Sequence, residues 1–162
     1  MKKIMVIGLF SFTAVLIYSC GGGNSNTGNT APVTETEQGK TENGNPSYDP
    51  HRGEGRFTKV DVGATLDAAM AENGFKVYSV KCQSCHKLTD EKLVGPGWKG
   101  VTARHTAEWI MNFITNTDDM LNKDPKAQAQ LEICLVRMPN QNLSDADARA
   151  LYEFQRKNDG VK

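Results

Sequence analysis

The chain has 162 residues and carries 19 Lys and Arg against 19 Asp and Glu, so its formal net charge at neutral pH is zero. Such a balance provides neither the basic footprint that nucleic acid requires nor a basic patch for an anionic lipid surface. The 4 cysteines and 3 histidines are therefore read by their positions, taken in chain order.

Lys2 and Lys3 precede an apolar run from Ile4 to Tyr18, which ends at Ser19-Cys20 and a string of Gly and Asn. The run is shorter than the roughly 20 residues that a membrane-spanning helix needs, and residues 1–19 read as an export signal. A small residue before Cys20 is similar to the lipobox of bacterial lipoproteins, with Tyr18 as a bulky departure from it. That resemblance implies cleavage before Cys20 and its lipidation, hence a protein held on the periplasmic side of a bacterial membrane. More than one acyl chain is what stable anchoring takes. Residues 20–56, with almost no branched or aromatic apolar side chain, cannot bury enough surface to offset their ordering entropy. They are expected to form a flexible tether reaching on the order of 30 Å, with His51 a solvated member of it.

Residues 57–162 are the right size for one small domain, and the pattern within them is all-α. The spacing of Leu66, Met70, Phe75, Val77 and Val80 predicts a helix over 66–81, with Thr65 as its N-cap. Gly74 lies inside it, where glycine costs roughly 1 kcal/mol relative to alanine unless another backbone must come close. Thr106 caps a second helix over 107–115, with Trp109, Ile110, Phe113 and Ile114 on one stripe. Asp124-Pro125 opens a third segment carrying Leu131, Leu135 and Val136. Ser144 and Asp147 resemble a capping box for a last helix whose apolar face is Ala148, Leu151, Tyr152 and Phe154.

At the end of the first helix stands "KCQSCHKL". A Cys-x-x-Cys pair serves as a zinc half-site, as a thiol-disulfide centre or, with His directly following, as a c-type haem attachment site. Structural zinc needs four ligands, and Cys134 and His105 do not supply a second pair. A redox pair belongs at the start of a helix after a strand, whereas here a helix comes first. Cys82, Cys85 and His86 instead offer two thiols for the two haem vinyl groups and one imidazole for iron. The sixth iron position has Met70, Met111, Met120, Met138 and His105 as candidates. Met138 is preferred, because it sits in a non-helical stretch that Pro139 fixes, while Met70 and Met111 read as helix core. Cys134 and Trp109 are expected to be core residues.

With these residues in view, the sequence resembles a class I c-type cytochrome over most of 70–157. "AENGFKVYSVKCQSCH" is similar to the family's first helix and haem motif, "LVGPGWKGV" to the loop after it, and "MPNQNLSDADARALYEFQRK" to its methionine loop and final helix. The resemblance implies a small helical domain around one covalently bound haem c. Cys82 and Cys85 would form its thioether links, with His86 as proximal ligand, Met138 as distal ligand, and the Pro96 carbonyl on the other His86 nitrogen. Trp98 would either hydrogen-bond a haem propionate or serve as an apolar lid, and Gly74 and Tyr78 would meet Leu151 and Phe154 where the first and last helices cross. The implied role is that of an electron carrier rather than an enzyme, tethered to the membrane by its lipid and working between respiratory donor and acceptor proteins. An axial Met raises the potential relative to a stronger nitrogen donor. Two alternatives are a dedicated donor to a terminal reductase, such as one acting on nitrous oxide, and a haem sensor or peroxidase with an open distal position.

Overall fold

The computed structural model describes residues 47–162; the export signal, Cys20 and residues 21–46 of the expected tether lie outside the described residues. In chain order the helices are α1 (Ala68–Lys81), α2 (Val101–Arg104), α3 (Ala107–Thr115), α4 (Thr117–Lys123), α5 (Pro125–Cys134) and α6 (Asp145–Asn158). Among the described residues the only β pairing is an isolated bridge between His86 and Lys92.

Three of the four expected caps are where the sequence puts them. Thr106 accepts from the Trp109 N–H, Asp124 from Ala127 with Pro125 in the first turn, and Ser144 from Asp147. The Ser144 hydroxyl also donates to the Asp147 carboxylate at 2.8 Å, a side-chain contact in place of the backbone bond that completes a capping box. The first helix differs from expectation. It begins at Ala68, capped by Asp67 rather than Thr65; the Asp67 N–H, which a Thr65 cap would need, goes instead to the Glu153 carboxylate at 2.9 Å. Its buried face is Ala71, Gly74 and Tyr78, while Phe75 and Val80 are exposed. Small residues face inward because α6 lies almost on the α1 backbone: a Cβ on Gly74 would collide with the Ala150 carbonyl. Tyr78 and Phe75 both meet Phe154 there, with ring centroids 5.4 and 5.5 Å apart.

Two further expectations are corrected. Leu135 and Val136 do not extend the apolar face of α5, because the helix stops at Cys134 and Leu135 turns left-handed at φ 61°. Both side chains point outward, Leu135 being 83% exposed. The tether, expected to run to residue 56, gives way to packed chain by Tyr48. Asn112, fully buried, donates to the carbonyls of Arg52 and Phe57 and accepts from the Phe57 N–H, each at 2.9 Å. Asp124, also fully buried, accepts from the Tyr48 hydroxyl and from the Trp109 indole. The segment thus buries little apolar surface and is held by polar side chains of α3 and of the start of α5. His51 is exposed within it, as expected. No helix among the described residues is long and apolar enough to cross a membrane.

Candidate haem site

The Cys-x-x-Cys-His stretch is a tight turn built on the end of α1. Cys82 caps that helix through its N–H to the Tyr78 carbonyl, and the N–H groups of Cys85 and His86 both return to the Cys82 carbonyl, at 3.1 and 2.9 Å. The Tyr78 hydroxyl then donates to the His86 carbonyl at 2.7 Å, so α1 fixes the backbone from which the imidazole projects. Placement after a helix, rather than at the start of one, deprives the thiols of the positive helix end that activates redox cysteines. Burial pushes the Cys82 thiol up to about 11, against a smaller opposing effect of Lys81. A thiol so firmly protonated is a poor thiolate nucleophile, which counts against the disulfide-exchange reading. Against zinc, no three His, Cys, Asp or Glu side chains cluster to hold a metal ion among the described residues.

The loop after the turn positions the imidazole. His86 Nδ1 donates to the Pro96 carbonyl at 2.9 Å; since a carbonyl only accepts, that nitrogen carries the proton and Nε2 keeps its lone pair. Burial lowers the His86 pKa, with the Pro96 bond acting in the opposite sense, so the ring is neutral at physiological pH and suited to bind a metal. Gly95 lies flat against it, and a Cβ there would collide with the imidazole. Trp98 packs between His86 and Tyr78, at 5.5 and 5.1 Å between ring centroids. The loop is held from behind by Asp159 beyond α6, which accepts from the N–H groups of Gly100 and Thr102 and from the Thr102 hydroxyl.

His86 opens onto a cavity of about 460 Å³ that is also lined by Cys85, Pro96, Trp98 and Met138. Five of the six haem-site residues singled out in the sequence therefore share one wall system, and the sixth, Cys82, is buried at the base of the same turn. The rival methionines are placed elsewhere. Met120 is fully buried, and its sulfur accepts from the Glu54 N–H at 3.0 Å; Met111 is packed in the core at 2% exposure; Met70 does not line the cavity. His105 does line it, but its ring is stacked on Trp109 at 4.0 Å. Cys134 is a free thiol, half-buried in the cavity wall rather than within the core. Ile110, Ile114, Leu121 and Leu131 add an apolar lining. Of these, the α3 pair belongs to the stripe the sequence displays, whereas Leu121 comes from α4, a helix too short to leave a periodic signal. Gln155 of α6, in the cavity wall and almost wholly buried, is another residue that sequence reasoning passed over.

The cavity fits a haem: one free cysteine in its wall and a second buried in the same turn, a neutral imidazole with a free lone pair, a thioether in the wall and an apolar lining for the ring. When bound, such a group supplies a one-electron ferric/ferrous couple. A small all-α domain with this turn and this cavity defines a protein of the covalently haem-bearing class. The chain belongs to the cytochrome c family, whose profile matches residues 71–158. It is 33% identical over 84 residues to cytochrome c-551 of Azotobacter vinelandii, spanning 51% of this chain and 94% of that protein. Among solved structures it is similar to cytochrome c from Rhodothermus marinus, with a TM-score of 0.63 and 31% identity over 65% of this chain and 90% of that one. An engineered form of the Rhodothermus marinus protein matches with a TM-score of 0.62 and 30% identity over the same shares. One covalent haem c and an electron-carrying role go with the family.

Proposed function

We propose that the protein is a single-electron carrier, lipid-anchored through Cys20 on the periplasmic side of a bacterial membrane, whose haem is joined to Cys82 and Cys85 and ligated by His86 Nε2 and the Met138 sulfur. The observation that carries this reading is that His86 and Met138 line one cavity while Met70, Met111 and Met120 do not. A sixth ligand supplied by the protein closes the iron to substrates and leaves electron transfer as its chemistry, which disfavours the sensor and peroxidase alternatives. The rim supports docking of redox partners, because Val94, Ile133 and Val136 border the cavity and remain 39%, 68% and 54% exposed. An apolar rim of this kind suits brief contact with a respiratory donor and then an acceptor.

In the native ferric protein the iron should be six-coordinate and low-spin, with the weak long-wavelength sulfur-to-iron band, and the ferrous form should bind carbon monoxide poorly at neutral pH. High-spin iron and rapid carbon monoxide binding would overturn the carrier reading. The anchor is tested separately. Cys20→Ser should move nearly all of the protein from the membrane fraction to the soluble periplasmic fraction with an unchanged haem spectrum, and an unaltered membrane fraction would rule lipidation out.

A further inference from the structure

Two buried side-chain atoms among the described residues lack a hydrogen-bond partner, His105 Nδ1 and Gln155 Oε1, and both residues line the haem cavity. A buried polar group left unpaired forfeits its hydration without a replacement bond, so such a pair of atoms in one cavity wall calls for partners from whatever fills the cavity.

The chemistry of the His105 atom is set by its other nitrogen. Nε2 lies 3.4 Å from Gln130 Nε2, an amide nitrogen that can only donate. His105 Nε2 is therefore the acceptor, and in the neutral ring the proton resides on Nδ1. An N–H donor then sits buried in the cavity wall with no acceptor from the protein. The ring cannot easily turn away, being stacked on Trp109 with its plane tilted by only 14° and held at the C-cap of α2, where its own N–H donates to the Val101 carbonyl. Arg104, the obvious neighbouring cation, is already engaged, since its guanidinium donates to the carbonyls of Lys99 and Gly97. The periphery of a haem carries two polar groups, both carboxylates, and a carboxylate is what a buried N–H donor lacks. The orphan on Gln155 is an acceptor as placed, and an ionised carboxylate offers it nothing, so it stays outside the argument.

We propose that His105 donates through Nδ1 to a haem propionate and thereby makes the reduction potential depend on pH. Burial, with Lys126 and Arg104 adding to it and Asp124 opposing, holds the His105 imidazole down to about 4 in the protein alone. An adjacent carboxylate stabilises the imidazolium and raises that value. Reduction adds a negative charge nearby and favours the proton further, so protonation and reduction support each other. The sign follows: the potential falls as pH rises through the range in which the His105–propionate pair loses its proton, and it levels off above. The groups facing His105 from its neighbours are Arg104 on α2, Asp124 and Lys126 at the start of α5 and the Gln130 amide; its stacking partner Trp109 does not titrate. The inference needs only the bound haem and is independent of the partners and anchor proposed above.

The test is the midpoint potential of purified holoprotein from pH 4 to 9 for the native protein, His105→Phe and His105→Asn. Phenylalanine keeps the stack on Trp109 without a donor, and asparagine keeps a donor near the Nδ1 position without titrating. The native curve should show one falling limb. His105→Phe should lose it and lie at a lower potential at neutral pH, while His105→Asn should match the native neutral-pH potential without the limb. Curves for native and His105→Phe that coincide, with covalent haem and the native spectrum retained, would overturn the proposal and assign the partner of Nδ1 to water. If a variant fails to take up haem, a native potential that stays flat from pH 4 to 9 overturns the proposal on its own. Nitrogen-15 histidine spectra of the ferrous form should show His105 protonated on Nδ1 and bare on Nε2; the reverse tautomer would equally overturn it. Loss of the sulfur-to-iron band in the native protein would instead tell against Met138.

Discussion

Met138→Ala is expected to turn a closed haem site into an open one. The side chain lines the same cavity as the neutral His86 imidazole, and an alanine cannot reach iron from that backbone. The variant should lose the long-wavelength sulfur-to-iron band, become largely high-spin in the ferric state and bind carbon monoxide readily when reduced. Its potential should drop by a substantial fraction of the ~0.8 V over which axial ligands set haem potentials, because the thioether favours the ferrous state. Met138 is only half-buried, so the lost packing should cost at most about 2 kcal/mol, the low end for a buried methionine, with the covalent haem retained. Ligand and role are separable here. If the band survives in Met138→Ala and vanishes in Met120→Ala, the assignment of the ligand is wrong but the carrier function stands.

Gly74→Ala is a test of sign. By helix propensity alone, alanine inside α1 should stabilise the protein by about 1 kcal/mol. The crossing demands the opposite, since the new Cβ meets the Ala150 carbonyl and the Phe154 Cβ, and backbone on a packed helix cannot step aside as a side chain end could. Overpacking costs roughly 1–3 kcal/mol, occasionally more, so a net loss of about 2 kcal/mol is expected, and a larger one for Gly74→Val. Denaturant unfolding of the holoprotein gives the answer, and a stabilised Gly74→Ala would mean that α1 and α6 pack less closely than the structure has them.

What could be read from the sequence was local. The haem turn was legible because Cys82, Cys85 and His86 are contiguous, and the caps at Thr106, Asp124 and Ser144 because each bonds within three residues. Gly74 and Tyr78 were placed correctly at the crossing of α1 and α6, but the stripe of large apolar residues took in Phe75 and Val80, which are exposed, and passed over Ala71, because a helix pressed onto another backbone buries small residues. The packed segment from Tyr48 was misread for a related reason. Its anchors, Asn112 and Asp124, are polar residues more than fifty positions away, and composition counts apolar burial only. The sequence argued for Met138 over Met70 and Met111, but it left Met120 open until the fold placed that sulfur on the Glu54 N–H. The exposed Leu135 was hidden because nothing in "EICLVR" announces a left-handed leucine.

The chain has 2 tryptophans, and both Trp98 and Trp109 border the cavity. A porphyrin absorbs where indole emits, so excitation of either ring passes to a haem in contact range before it can be radiated. The folded holoprotein is therefore nearly dark in tryptophan emission, and light returns only as the indoles draw away from the haem. Covalent attachment keeps the quencher on the unfolded chain, so the emission that reappears reports the opening of the fold around the ring rather than escape of the ring itself.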